Sequence, residues 1–335
     1  MGVTAASTAR GRSAGVSTEQ LSGLTSVLVR ALGMGAEIVS TEPLSAGASR
    51  LSWAVDVSVG PDLRQLVVQR ERVPGAGRSD VAAEARLLRA AAAAGVPVPR
   101  VVAAGTDREV IGGAFIVTTR VAGETIPRRI LRLSELETAR TCFAGQCGRI
   151  LAAIHAIPVS AVAPLPEPDV LTGIEEMLDA SGDPRPVFEL GLRWLRDNRP
   201  AAREPAVVHG DFRNGNLIVG PDGIRAVLDW ELAHIGDPLE DLGWLCARAW
   251  RWGQRPVVGG MGSRAELLTA YAEAGGGSLT SQQIFWWQLL ATVRWGVMCL
   301  EQARTHLSGE TRSVELAVIG RRACEMEYDV LRMLA

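Results

Sequence analysis

The chain has 335 residues, a formal net charge of −2 and 47% hydrophobic residues, a length that suits about two domains. Near-neutral charge without a basic block argues against nucleic acid as a partner. Five cysteines, Cys142, Cys147, Cys246, Cys299 and Cys324, are odd in number and lack CxxC spacing, so reduced core thiols and a cytoplasmic location are expected.

Residues 1–17 are rich in Ala, Gly, Ser and Thr and contain no continuous apolar stretch, which predicts a disordered leader rather than a signal peptide. A loop with Gly47 and Ser49 precedes Leu51, Trp53, Val55, Val57 and Val59, whose alternation is that of a half-buried strand. Gly60-Pro61-Asp62 turns the chain, and Leu66 to Arg70 reads as the returning strand with Arg70 near its far end. After a Gly-rich loop at 74–78, Ser79 is suited to cap a helix that runs through the alanine-rich stretch to Gly95, with Glu84 in its early turns. Gly113 to Gly123 reads as a strand leading into a glycine.

From Leu133 the periodicity is helical. Helices are expected at 136–155, 173–180, 185–198, 239–251, 263–274, 281–307 and 311–334. His155 lies on an apolar helix as a packed histidine, and Trp286, Trp287 and Trp295 read as core. The only stretch that resembles a membrane span, Ile284 to Leu300, is interrupted by Gln288 and Arg294 and is shorter than the ~20 apolar residues a span needs, so a buried helix and no membrane partner are expected.

Residues 209–216 read His-Gly-Asp-Phe-Arg-Asn-Gly-Asn. Leu217 to Val219 and Ile224 to Leu228 flank the turn sequence Gly220-Pro221-Asp222-Gly223, which predicts a hairpin carrying Asn216 at one outer end and Asp229 at the other. An amide and a carboxylate brought together there would suit magnesium, which takes a few oxygen ligands plus substrate phosphates. Asp211 would then be the carboxylate beside an attacking hydroxyl, the arrangement phosphoryl transfer requires. Two other readings are open: His209, Asp211 and His234 as metal ligands, or Asp211 as a plain turn residue. The absence of cysteine from this stretch weakens the zinc reading.

His-Gly-Asp with Asn five positions after the aspartate, Leu228-Asp229-Trp230-Glu231, Gly236-Asp237-Pro238 and Asp241-Leu242-Gly243-Trp244 together resemble the aminoglycoside phosphotransferase and choline kinase family, over a span from about Leu44 to the C-terminus. The resemblance implies an α+β, protein-kinase-like fold: a small N-terminal antiparallel β lobe with one helix (18–121) and a larger, mainly α C-terminal lobe (122–335). It implies ATP and Mg²⁺ as cofactors and a small-molecule hydroxyl as acceptor. Asp211 is expected to be the catalytic base, with Asn216 and Asp229 as metal ligands. Gly47 and Ser49 would cover the nucleotide phosphates, and backbone groups at Thr119, Arg120 and Val121 would bond the adenine. His209, Asp237 and Asp241 are expected to brace the loop, and Glu231 to face the acceptor.

All 35 basic residues are arginine. The strand lysine that grips phosphate in kinases and pairs with a helix glutamate therefore has no counterpart, and an Arg70 to Glu84 pair is expected in its place, with Arg72 as the alternative. Arg294, Arg304, Arg321 and Arg322, with few acids besides Glu301, favour an apolar or anionic acceptor over a polycation. The rival reading is a catalytically silent nucleotide-binding pseudokinase or scaffold, for which the missing lysine is the best support.

Overall fold

A computed structural model describes residues 18–44, 50–71 and 80–335. The expectations for the leader, for Gly47 and Ser49, for Arg72 and for a Ser79 cap lie outside these residues. The chain divides into two compact units, one formed by residues up to Ala85 together with Arg100–Arg120, the other by Arg86–Pro99 and Val121–Ala335.

The first unit holds α1 (Thr18–Leu32), β1 (Ala36–Pro43), β2 (Arg50–Val59), β3 (Asp62–Glu71), the start of α2 (Val81–Ala93), β4 (Val101–Gly105), α3 (Arg108–Ile111) and β5 (Phe115–Thr119). Its five strands form an antiparallel sheet in the order β1-β2-β3-β5-β4. Successive side chains on a strand point to opposite faces and paired residues share one. Trp53 pairs with Val68, Val55 with Leu66, and Val68 with Val117, which puts the alternating apolar set of three strands on one face. Leu24, Val27 and Leu28 of α1 and Ile111 of α3 bury that face. Helix α2 opens at Asp80, whose carboxylate accepts the Ala82 amide at 2.8 Å.

The second unit is mainly helical, with α4 (Pro127–Ile130), α5 (Glu137–His155), α6 (Val159–Val162), α7 (Val170–Ser181) and α8 (Pro186–Asp197) preceding four short strands. These are β6 (Ala206–Val208), β7 (Leu217–Gly220), β8 (Gly223–Val227) and β9 (His234–Gly236), paired as β7 with β8 and β6 with β9. Helices α9 (Leu239–Cys246), α10 (Arg264–Tyr271), α11 (Ser281–Leu307), α12 (Val314–Gly320) and α13 (Ala323–Leu334) follow. The long α11 packs against α7, α8, α9, α12 and α13. Trp286, Trp287 and Trp295 are buried on it, and no helix among the described residues is long and apolar enough to cross a membrane.

Two expected helices are interrupted. The segment 239–251 breaks at Ala247, which is extended, before a 3-10 turn at Arg248–Arg251 that presents Trp250 to Trp244 and Trp295. The segment 311–334 is two helices, α12 and α13, separated at Arg321 and Arg322 by i→i+3 hydrogen bonds.

Candidate active site

The loop between β6 and β7 carries Asp211, and its shape is set by Asp241 of α9. One Asp241 oxygen accepts the His209 amide at 2.8 Å and the other the Gly210 amide at 2.9 Å. Gly210 has φ +80°, and a Cβ there would collide with the Leu232 carbonyl, so the tight turn before Asp211 requires glycine. Burial would raise the Asp241 carboxyl, but the hydrogen bond and charge of His155, with His209, outweigh it and hold the group below the usual carboxylate range. His155 also meets the Tyr271 hydroxyl at 2.9 Å, and burial pushes that phenol up to about 12.

His209 is a brace. Its Nε2 lies 3.0 Å from the Leu228 carbonyl and its Nδ1 accepts the Asp211 amide at 3.2 Å, a pair of bonds that fits the neutral ring protonated on Nε2. Burial pushes its pKa below the ordinary histidine value, in keeping with that tautomer. Both ring nitrogens are committed to the loop, which supports the structural role expected from the sequence.

The Asp211 carboxylate is held by three donors. Oδ1 accepts from Arg213 Nε at 2.9 Å and from Trp244 Nε1 at 2.8 Å, while Oδ2 accepts from Asn216 Nδ2 at 2.6 Å. A carboxylate has about four lone-pair sites, so this geometry keeps capacity for one further donor. Arg213 is itself stacked 4.6 Å from the Trp250 ring, which fixes the guanidinium plane. In the sequence Arg213 is marked only by its place two residues after Asp211, and Trp244 only by its place in the Asp-Leu-Gly-Trp motif.

The hairpin brings the two expected metal ligands to the same end. Leu217 pairs with Val227, and the ladder continues one step further as the Leu228 amide donates to the Asn216 carbonyl at 2.8 Å. Asp229 follows directly with φ +62°, a left-handed conformation uncommon outside glycine that turns the chain out of the hairpin. Asn216 Nδ2 donates to both the main-chain oxygen and Oδ2 of Asp211, which leaves its Oδ1 as the acceptor end. An amide oxygen and a carboxylate flanking the same end of the hairpin are ligand types that suit a hard divalent cation such as magnesium.

The alternative metal reading does not fit this geometry. His234 faces the Leu232 carbonyl and, at 3.0 Å, Glu240, and Arg294 donates to the other Glu240 oxygen at 2.7 Å. Burial disfavours charge on His234, but the Glu240 hydrogen bond and charge outweigh it and raise the imidazole pKa. No group of three or more His, Cys, Asp or Glu suited to a metal ion occurs among the described residues.

In the first unit the expected Arg70 to Glu84 pair is absent, and Glu84 pairs instead with Arg50. The reason is register. Arg70 lies opposite Leu51 and Phe115, on the α1-covered face, where it stacks 5.6 Å from the Trp53 ring and donates to the Ile111 carbonyl at 2.9 Å. Burial there lowers its pKa. The Thr119 amide donates to the Arg100 carbonyl and the Arg120 amide to the Gln65 carbonyl, so these two N–H groups are spent within the unit; Val121 begins the next.

The C-terminal arginines singled out in the sequence have acidic partners. Arg294 is paired with Glu240, Arg304 with Glu301 and Arg322 with Glu325, so three of the four arginines are matched by carboxylates.

The family model of the phosphotransferase enzyme family matches residues 40–279. The chain is 31% identical over 189 residues to acyl-CoA dehydrogenase family member 10 of Mus musculus, a match covering 53% of this chain and 17% of the relative. To acyl-CoA dehydrogenase family member 11 of Homo sapiens it is 30% identical over 193 residues, covering 53% and 24%. The match thus spans about a sixth to a quarter of these relatives' length. Among solved structures it is similar to a candidate aminoglycoside phosphotransferase from Ralstonia eutropha JMP134, with TM-score 0.73 and 22% identity over 93% of this chain and 97% of that one. It is also similar to macrolide 2'-phosphotransferase MphH from Brachybacterium faecium, with TM-score 0.62 and 18% identity over 90% and 97%. The aminoglycoside phosphotransferase APH(4)-Ia, solved with AMP-PNP and hygromycin B, matches with TM-score 0.60 and 17% identity over 93% and 98%. These neighbours share the protein-kinase-like fold, and the chain belongs to the phosphotransferase enzyme family.

Proposed function

We propose that this protein is an ATP-dependent phosphotransferase that moves the γ-phosphoryl group to a hydroxyl of a small molecule in the cytoplasm. The observation that supports this most is the Asp211 carboxylate fixed by Arg213, Trp244 and Asn216, next to a hairpin end that carries Asn216 and Asp229. Asn216 and Asp229 would hold magnesium. Bound Mg·ATP supplies the phosphoryl group and the charge neutralisation on which a loose transition state depends.

Asp211 accepts the acceptor O–H as its fourth hydrogen bond and so aims the oxygen. As the new P–O bond forms and the bond to the ADP oxygen breaks, the hydroxyl proton passes to the Asp211 carboxylate. Arg213 and Trp244 keep that carboxylate in one orientation, and His209 with Asp241 keeps the loop beneath it in one shape.

The rival reading, a silent nucleotide binder, rests on the missing lysine, yet Asp211, Asn216 and Asp229 are all present. Thermal shift with Mg·ATP, followed by coupled ADP release over a set of hydroxylated compounds, separates the two. A thermal shift together with acceptor-dependent ADP release is expected. Binding without turnover on every acceptor would favour the silent binder.

A further inference from the structure

The five strands of the first unit carry three basic residues, Arg50, Arg64 and Arg70. Register divides them between the two faces of the sheet. Arg64 pairs with Val57 and Arg70 with Leu51, so both project from the face that α1 and α3 cover. Arg50 pairs with Glu71, and shares the other face with Gln69 and Thr118. A ligand lying on this sheet has only that second face, and Arg50 is its only strand cation among the described residues.

Arg50 is also the residue that α2 orients. Its guanidinium meets the Glu84 carboxylate, and the two side chains are only 11% and 8% exposed. A guanidinium presents five donors in a rigid planar fork, so the Glu84 contact to one of its nitrogens fixes the plane of the whole group, and such a fork is the side chain suited to phosphate oxygens. The alternative β3 positions on the same face, Gln65, Val67, Gln69 and Glu71, bear no positive charge. Arg50 opens β2 directly after the segment containing Gly47 and Ser49.

We propose that Arg50, positioned by Glu84, is the residue that binds the phosphate groups of a nucleoside di- or triphosphate, so that the phosphate grip comes from the first residue of β2 and not from β3. The inference rests on the phosphotransferase reading above. Arg70 then has a packing role, holding α3 to the sheet through the Ile111 carbonyl.

The test is calorimetric binding of Mg·ATP, Mg·ADP and adenosine to the full chain and to Arg50→Gln, Arg50→Lys and Arg70→Gln. Losing charge-assisted bonds to phosphate should weaken ATP and ADP binding by about tenfold to a hundredfold in Arg50→Gln and leave adenosine unchanged. Arg50→Lys keeps the charge beside Glu84 but loses the fork, so its ATP-to-adenosine preference should fall by a smaller factor. Arg70→Gln should lower the melting temperature with no change in that preference. Wild-type ATP affinity in Arg50→Gln overturns the assignment. Should that variant not fold, an unaltered preference in Arg50→Lys overturns it equally. A wild-type chain that binds no nucleotide overturns the phosphotransferase reading itself, a different result from nucleotide binding that ignores Arg50.

Discussion

The Trp244 indole N–H donates to Asp211 Oδ1 at 2.8 Å, so a fully buried residue of α9 holds the carboxylate proposed as base. Trp244→Phe removes that donor while keeping an aromatic ring in the site. Loss of one hydrogen bond to a charged group leads us to expect kcat lower by on the order of tenfold, with KM for ATP nearly unchanged. Steady-state kinetics against ATP checks this; a changed KM at constant kcat would contradict it.

Asp211→Asn is nearly isosteric but cannot take a proton. Turnover should fall by about 10²–10⁴-fold, and Mg·ATP affinity measured by calorimetry should stay within a few-fold of wild type. Unchanged turnover would remove Asp211 from the chemistry.

Asp241→Asn replaces one of two acceptors with an amide donor facing a backbone N–H, and it deprives His155 of its carboxylate partner. Disrupting a buried charged network of this kind costs about 3–5 kcal/mol. Urea unfolding should show a loss of that size, with kcat falling as the loop loosens. Because the Asp241 pKa is depressed in the folded state, its contribution is present above about pH 4 and is lost as the pH falls through the folded value. Wild type and Asp241→Asn should therefore converge in stability at acid pH.

The two buried histidines have opposite signs near neutrality. His209 is depressed, so the unfolded chain takes up its proton first, and this residue makes stability fall as the pH drops below about 6.5. His234 is raised, so its contribution is full below about pH 6.5 and lost as the pH climbs through its folded pKa. Removing His234 leaves the His209 slope uncompensated. Melting temperatures of His234→Asn should fall more steeply than those of wild type when the pH is lowered from about 7.5 to 5.5. An identical slope would contradict the raised His234.

The parts legible in the sequence are those encoded locally. The hairpin around Pro221-Asp222, the glycine stop at Gly95 and the α11 start at Thr280, where a capping box with Gln283 forms, all follow from short-range turn and cap chemistry. The pairing of Arg50 with Glu84 spans 34 positions and depends on which strand face each residue occupies, which a pattern shared by Arg70 and its neighbours does not specify. Trp244 and Asp211 are likewise 33 apart. The break at Ala247 was hidden because alanine favours helix, and packing of Trp250 against Trp244 and Trp295 overrides that preference.

Trp244, Trp250 and Trp295 form a run of rings with centroids 5.2 and 4.8 Å apart, and its first ring touches Asp211. Indoles this close exchange excitation energy, so ultraviolet emission from the three is a shared signal that senses the Asp211 carboxylate at one end. Occupancy of that carboxylate is therefore readable from the unlabelled protein's own light, and best in a variant where the other six tryptophans are replaced by phenylalanine.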